Sequence, residues 1–297
     1  MPKRPLSGSK SQELAGPRLP PRLADLESPP AALYLRGELP RGPAVAVVGT
    51  RRPSPEGVAF TRAFAAELAA EGVAVLSGGA EGIDTAAHEG ALDVSGKTVV
   101  VAPGGFNRPF PAENAALFQR VVDSGGAYLS LRADDEPASH PVFFARNACL
   151  AALAHAVVVT QRPFRSGASN AAKWARRLGR PLFVVPHSPW VPQGVGALQE
   201  LRWGAMPIDR AKEVLVHLRA SGLHPLPGTT QGELWPAASA SDDDPVLLAL
   251  KSGACHADEI AERTGLSLAT VQQRILTLAL SGVLVPGPLG SLKPVTY

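Results

Sequence analysis

The chain has 297 residues, of which 45% are apolar and 19% are charged, and its formal net charge is +3. This composition indicates a globular protein that can bury a sizeable core in one or two domains. It contains no apolar run near the roughly 18 residues of a membrane helix, no signal peptide pattern, and two distant cysteines that form no C-x-x-C motif, so we expect a cytoplasmic protein without membrane insertion.

Residues 1–22 are rich in proline, serine and basic residues and lack periodicity, which predicts a disordered basic tail. Short, β-branched apolar runs then alternate with helical patterns, as in a mainly parallel, doubly wound α/β sheet. We expect this domain to cover residues 23–218. The predicted strands are 44–48, 73–76, 98–102, 127–131, 156–160 and 182–185, and the predicted helices are 55–71, 83–93, 113–124, 143–153 and 168–178.

Four segments that follow predicted strands are rich in glycine, serine, proline or arginine, and three of them contain arginine. In doubly wound sheets, ligands bind beyond the carboxyl ends of the strands. The sequence therefore predicts a flexible, basic binding edge, formed by residues 49–54, 77–82, 103–111 and 161–169.

The first glycine-rich turn joins a strand to a helix that starts near Ile83. Its residues Ser77, Gly78, Gly79 and Gly82 predict an anion site, because glycine lets the backbone approach a phosphate and a helix N-terminus attracts it. The spacing is not G-x-G-x-x-G, so it does not indicate a dinucleotide site. The alternative is that these glycines only permit tight packing.

A second turn, with Arg165, Ser166 and Gly167, precedes another predicted helix, which carries Lys173 and Arg176. It predicts a second anion-binding nest with basic side chains along one helix face. The surrounding stretch, residues 137–199, contains no aspartate or glutamate, so we expect a positive surface that attracts a polyanion. A solvated helix face that merely lacks acids is the alternative.

Three other patterns are weaker. Asp84 and His88 share a helix face, but a first-turn aspartate is explained by the helix dipole, so we do not predict a catalytic or metal pair. The segment Ser95–Thr98 resembles a P-loop ending, but a helix precedes it and a strand follows, the reverse of a P-loop. Aromatic residues near the predicted edge suit base stacking, although most aromatics belong in the core; they are Phe106, Phe110, Phe164 and Trp174.

The C-terminal part has a different pattern. Residues 219–243 form a predicted linker, and residues 244–297 contain three short helical patterns and a β-hairpin, as in a winged helix-turn-helix. Four basic and four acidic residues balance in this segment. Duplex binding depends on phosphate neutralisation, so a protein contact or a regulatory role is favoured for this domain.

Several stretches, in this order, resemble the DNA-processing protein A family, DprA or Smf: "VVGTRR", "LSGGAEGIDTAAHEGAL", "FPAEN", "ARNACLAALAHAVVV", "RSGASNAAKWARRLGRPLFVVP" and "GALQELRWGA". The resemblance covers about nine-tenths of the chain. It implies an extended Rossmann-like domain that binds single-stranded DNA, a homodimer through that domain, and loading of the RecA recombinase onto incoming DNA in natural transformation. It implies neither catalysis nor a cofactor.

Together, the resemblance and the basic edge predict a set of DNA-binding residues: Arg51, Arg52, Ser77, Gly78, Gly79, Gly82, Arg146, Asn147, Arg165, Ser166, Gly167, Lys173 and Arg176. Glu81 stands where family members often have a basic residue, which puts one phosphate contact in doubt. Gln161 and Leu131 replace common acids and make the edge more positive.

A second hypothesis is an enzyme that acts on nucleoside monophosphates. The segment from Pro103 to Asn114 has the P-G-G opening of the cytokinin-activating phosphoribohydrolases, with Glu113 beyond it. Asn107 and Arg108 stand where that motif has glycine and threonine, so the motif is incomplete. A third hypothesis is a DNA-independent protein adaptor that works through the winged helix.

Overall fold

The computed structural model describes residues 10–164, 166–223, 245–252, 256–267, 270–272, 275, 284–286 and 292–294. The chain divides into two compact units, residues 1–229 and 230–297. No helix in the described ranges is long and apolar enough to cross a membrane.

The first unit is built on a sheet of nine strands with the order β1-β2-β6-β5-β4-β3-β7-β8-β9. From β6 to β9 all neighbours are parallel, whereas β1 and β2 form an antiparallel edge. This confirms the doubly wound, Rossmann-like prediction. The strands are β1 (Gln12–Ala15), β2 (Ala32–Gly37), β3 (Ala44–Val48), β4 (Ala74–Ser77), β5 (Thr98–Ala102), β6 (Ala127–Ser130), β7 (Ala156–Val159), β8 (Leu182–Val184) and β9 (Met206–Pro207).

Seven helices of this unit pack on the two faces of the sheet. Helices α1, α2, α3 and α7 cover one face, and α4, α5 and α6 cover the other. Central strands are buried on both sides, which explains their continuous β-branched runs. The helices are α1 (Pro55–Ala70), α2 (Ile83–Asp93), α3 (Ala115–Asp123), α4 (His140–Leu153), α5 (Ala168–Arg177), α6 (Val195–Arg202) and α7 (Ala211–Ala220).

Residues 10–22 contradict the prediction of a disordered tail. Strand β1 pairs with β2, and the side chain of Leu14 is buried. Arg22 donates hydrogen bonds to the carbonyl oxygens of Ala152 and Ala154, at the end of α4. The low local periodicity was misleading because this segment is stabilised by pairing with another strand and by hydrogen bonds to residues more than a hundred positions away. Residues 1–9 lie outside the described part of the chain.

The second unit contains helices α8 (Pro245–Lys251) and α9 (Ala257–Thr264) and the strands β10 (Leu284–Pro286) and β11 (Leu292–Pro294), which pair antiparallel as the predicted wing. Helix α9 ends at Gly265, which has the left-handed conformation of a C-cap. Residues 270–272 and 275, in the third predicted helix, are also helical. The predicted linker starts too early, because α7 continues to Ala220, and most of it lies outside the described residues.

Candidate nucleic-acid interface

A pocket of about 850 Å³ opens where the strand order reverses. The chain runs from β3 outward through β4, β5 and β6 and then returns to β7 on the other side of β3. The segments that follow β3 and β7 therefore lead to helices on opposite faces of the sheet, which leaves a crevice between them. Gly49, Thr50, Arg51 and Arg52 follow β3 and line one wall. The fold therefore creates a concave site at the position where doubly wound sheets bind ligands.

Helix α4 supplies an aromatic and polar wall. His140, Phe143, Phe144 and Asn147 are spaced three and four residues apart, so they share a helix face, and all of them line the pocket. The Phe143 ring meets Phe110 edge to face, with centroids 5.1 Å apart. Exposed aromatic faces beside a basic wall are suited to base stacking.

The N-terminus of helix α5 forms the opposite wall. Ser166, Gly167 and Ala168 line the pocket, and behind them the amides of Ser169 and Asn170 donate to the carbonyl oxygens of Ser166 and Gly167. A Cβ added at Gly167 would meet no described atom within 4 Å. This turn is open toward the pocket, as an anion-binding helix N-terminus has to be.

The first glycine-rich turn is filled by the protein itself. The amides of Gly78 and Ala80 both donate to Oδ2 of Asp84, at 3.1 and 3.3 Å. A Cβ on Gly78 would lie 1.6 Å from Nη1 of Arg146. Gly82 has a φ of +80° and approaches the Thr50 carbonyl oxygen. An internal carboxylate thus occupies the position that the sequence suggested for a phosphate.

Three ionisable side chains lie beneath this turn. Burial raises the pKa of Asp84 and lowers the pKa of Arg146, and each partly offsets the effect on the other through their opposite charges. Burial and the charge of Arg146 lower the pKa of His88 to about 3. The Thr98 hydroxyl donates to the Val75 carbonyl oxygen, so the 2.8 Å contact makes His88 Nδ1 the donor to Thr98. His88 is therefore a neutral core residue.

A buried ion pair lies behind the second turn. Arg162 and Glu200 are 1% and 0% exposed, and Nη2 of Arg162 lies 2.6 Å from Oε1 of Glu200. The same guanidinium donates to the carbonyl oxygens of Pro163 and Phe164, at 3.3 and 3.1 Å, and to the Ser169 hydroxyl. The pair thus links helix α6 to both sides of the turn that lines the pocket.

The acid-free stretch does not form the uniformly positive surface expected from the sequence. Acids from outside the stretch neutralise much of it, with ion pairs of Arg162 and Arg176 to Glu200, Arg177 to Glu27, and Arg180 to Asp25. A local count of charges cannot detect these distant partners. Arg51, Arg52 and Lys173 are exposed, and none of them forms an ion pair with an acid of the described residues.

The structure brings part of the predicted site together. Six predicted residues line the pocket: Arg51, Arg52, Arg146, Asn147, Ser166 and Gly167. Lys173 lines a neighbouring groove, and Arg176 pairs with Glu200 and stacks on Trp203. Ser77, Gly78, Gly79 and Gly82 do not line the pocket; Ser77 is fully buried and donates to the Val47 carbonyl oxygen. Arg165 lies outside the described residues.

The α4 aromatics Phe143 and Phe144 were absent from the predicted site. The sequence could have indicated them, because they lie four and three residues before Asn147 and so share its helix face. A helix face that combines aromatic rings with a predicted DNA-contacting residue is a candidate binding surface. Of the four aromatics proposed from the sequence, Phe110 lines the pocket and Phe106 is buried in the core.

The P-G-G turn is also explained by packing. A Cβ on Gly104 would lie 2.7 Å from the Arg108 carbonyl oxygen, and one on Gly105 would lie 1.9 Å from that of Ala133. Tyr128 and Ser130 donate to the Gly104 carbonyl oxygen. The segment Ser95–Thr98 joins α2 to β5, which confirms the reversed order of elements that separates it from a P-loop.

A family model described as DNA recombination-mediator protein A matches residues 13–219, and a DprA winged helix domain model matches residues 233–288. The chain belongs to the DNA recombination-mediator protein A family. The family assignment confirms the resemblance found in the sequence, and the second match confirms the winged helix.

Relatives of this family are similar over most of the chain. A DNA processing protein DprA of Mycobacterium tuberculosis is 39% identical over 245 residues, which are 81% of this chain and 61% of that protein. The chain thus spans about three-fifths of the mycobacterial relative. Protein Smf of Escherichia coli is 32% identical over 282 residues, covering 92% of this chain and 74% of Smf.

Two solved structures of the family have similar folds. DNA processing protein A from Helicobacter pylori, solved to explain its single-stranded DNA binding mode, has 30% identity and a TM-score of 0.63; the match covers 72% of this chain and 98% of that chain. DprA from Streptococcus pneumoniae has 30% identity and a TM-score of 0.65, and the match covers 69% of this chain and 74% of that chain.

Proposed function

We propose that this member of the DprA family binds single-stranded DNA, without cutting it, in the pocket at the strand-order reversal. The observation that carries the proposal is the convergence in one pocket of unpaired arginines, an open helix N-terminus and aromatic rings. These are the groups that hold phosphates and stack on bases. The Helicobacter pylori relative, described as binding single-stranded DNA, supports it.

Within this proposal the residues that line the pocket take two roles. Arg51, Arg52 and the α5 N-terminus contact phosphates, and Phe143 and Phe144 stack on bases. The first glycine turn acts indirectly, because it holds in place Asp84 and Arg146, which line the pocket. The doubt raised by Glu81 concerns this indirect part of the site, since Glu81 does not line the pocket.

The proposal is tested by titrating labelled oligothymidine at several salt concentrations. For single strands, each phosphate contact contributes a slope of about 0.7 log unit in affinity per decade of salt. Arg51→Gln/Arg52→Gln should weaken binding and reduce the slope by about 1.4. Arg219→Gln is the matched control, because Arg219 is a half-exposed arginine on α7. Equal slopes in wild type and the double variant would exclude this edge as the site.

We further propose that the protein protects incoming DNA in the cytoplasm during natural transformation, loads the RecA recombinase onto it, and works as a homodimer through the Rossmann-like domain. The family assignment supports these roles. Size-exclusion chromatography with light scattering tests the dimer. RecA filament formation on DNA coated with single-strand-binding protein tests loading, and no acceleration would contradict it.

For the winged helix we propose a protein-binding or regulatory role, and a chain truncated after residue 223 should keep its affinity for single strands. A truncated chain that lost that affinity would contradict this assignment.

The alternative enzyme hypothesis is tested by incubating the protein with AMP and measuring free adenine, which we do not expect to form.

A further inference from the structure

A second, shallower groove runs between helices α4 and α5, beside the pocket. It has a volume of about 210 Å³ and is lined by Phe144, Ala145, Asn170, Lys173, Trp174 and Arg177. Phe144 and Asn170 also line the pocket. A strand that leaves the pocket along α5 therefore enters this groove directly.

The groove combines groups that suit the parts of a nucleotide. Phe144 is 51% exposed, so its ring offers a flat surface for a base. The Arg177 guanidinium lies over the partly exposed ring of Trp174, 5.0 Å from its centroid, so a base stacks on that face of Trp174 once Arg177 has moved to a phosphate. Lys173 is exposed and paired with no described acid. Oδ1 of Asn170 is buried without a hydrogen-bond partner among the described residues, and a carboxamide can bind a base edge.

Arg177 is also accessible to a phosphate. Its acidic partner is Glu27, at 2.7 Å, and the two side chains are 49% and 75% exposed. An exposed ion pair of this kind contributes little to stability. A phosphate oxygen can therefore replace the Glu27 carboxylate at small cost.

Resting on the proposed function, we propose that this groove is a second nucleotide subsite, which binds the strand where it leaves the pocket. Trp174 stacks on the base, and Lys173 and Arg177 contact the phosphates on either side. The protein would then hold a longer stretch of strand than the pocket alone accommodates.

The test is a series of oligothymidines from about four to about twelve nucleotides, a typical range of site sizes. Wild-type affinity should rise at the length that fills the groove. Trp174→Ala should abolish this rise, a loss of at least about fivefold for long oligomers, and should leave short ones unaffected. Trp174→Phe, which keeps a stacking ring, should restore most of the rise.

The outcomes separate the two proposals. If short oligomers fail to bind the wild-type protein, the proposed function is wrong. If Trp174→Ala binds all lengths as wild type does, or weakens short and long oligomers equally, the subsite is wrong. With long oligomers, Arg177→Gln should reduce the salt slope by about 0.7, whereas Arg219→Gln, at a similarly exposed ion pair with Glu71, should not; equal slopes would also overturn the subsite.

Discussion

Two glycine-containing turns of this protein look alike in sequence but differ in what occupies them. The first, residues 77–82, encloses the Asp84 carboxylate and the Arg146 guanidinium. The second, residues 166–168, opens into the pocket, and the Arg162–Glu200 ion pair supports it from behind. A glycine-rich turn before a helix is thus an anion site only where the protein has not already supplied the anion.

The largest expected effect concerns the support of the second turn. Glu200→Leu leaves the buried guanidinium of Arg162 without its partner, so the free energy of unfolding should fall by about 3–5 kcal/mol. Arg162→Leu/Glu200→Leu removes both fully buried charges and leaves the partly exposed Arg176 to be hydrated, so it should regain most of that loss. Chemical denaturation measures both variants.

Measuring how the double variant binds single-stranded DNA shows whether the ion pair positions the second turn as well as stabilising the fold. The double variant should bind oligothymidine more weakly, because the carbonyl groups of Pro163 and Phe164 lose their common donor. Wild-type affinity in a stable double variant would show that other contacts hold the second turn.

The pH dependence of the free energy of unfolding tests whether water is excluded from His88 in the core beneath the first turn. The pKa of His88 falls from about 6.5 in the unfolded chain to about 3 in the fold. The unfolded chain therefore binds a proton that the fold excludes, and His88 should lower stability by about 1.4 kcal/mol per pH unit below pH 6.5, down to about pH 3. Asp84, whose pKa is raised, acts in the opposite direction.

Comparison with His88→Gln isolates this contribution, since both proteins retain Asp84. The difference between their unfolding free energies should change with pH between about 6.5 and 3. A constant difference would mean that water reaches His88, and that the first turn is more open than its contacts indicate.

Gly78→Ala tests the filling of the first turn directly. The new Cβ would displace the Arg146 guanidinium, and overpacking of this kind costs about 1–3 kcal/mol. Thermal unfolding should show a lower midpoint. An unchanged midpoint would indicate space around Gly78 that a ligand could also use.

Gly167→Ala is the matching change in the second turn and has the smallest expected effect on stability. The φ of Gly167 is −59°, and its Cβ would meet no described atom within 4 Å. Alanine is a poorer N-cap than glycine, but at this helical φ and ψ it also restricts the unfolded chain, which stabilises by about 0.4–1 kcal/mol, so the two effects oppose each other. We expect a change of a few tenths of a kcal/mol, with weaker oligothymidine binding because the methyl group enters the pocket wall. If Gly167→Ala lowered the free energy of unfolding and left oligothymidine binding unchanged, the second turn would be filled by the protein and not open to a ligand.

Much of the fold could be predicted because local patterns reflect local constraints. Six strands and five helices of the first unit are close to their predicted bounds, since buried parallel strands require unbroken β-branched runs. The antiparallel edge of β1 and β2 was missed, along with α6 and α7. The edge depends on pairing between segments with weak patterns of their own, and residues 10–22 are held by β2 and by contacts with Ala152 and Ala154, far along the chain.

The amino-acid sequence by itself determined the family, the doubly wound class and the edge of the sheet that carries the site, because glycines, arginines and β-branched runs act at short range. Only the tertiary structure decided which groups at that edge remain available. Asp84, Glu200 and Glu27 neutralise or occupy positions that look free in the sequence. Charge pairing and steric filling act through space, so they depend on neighbours that folding alone brings together.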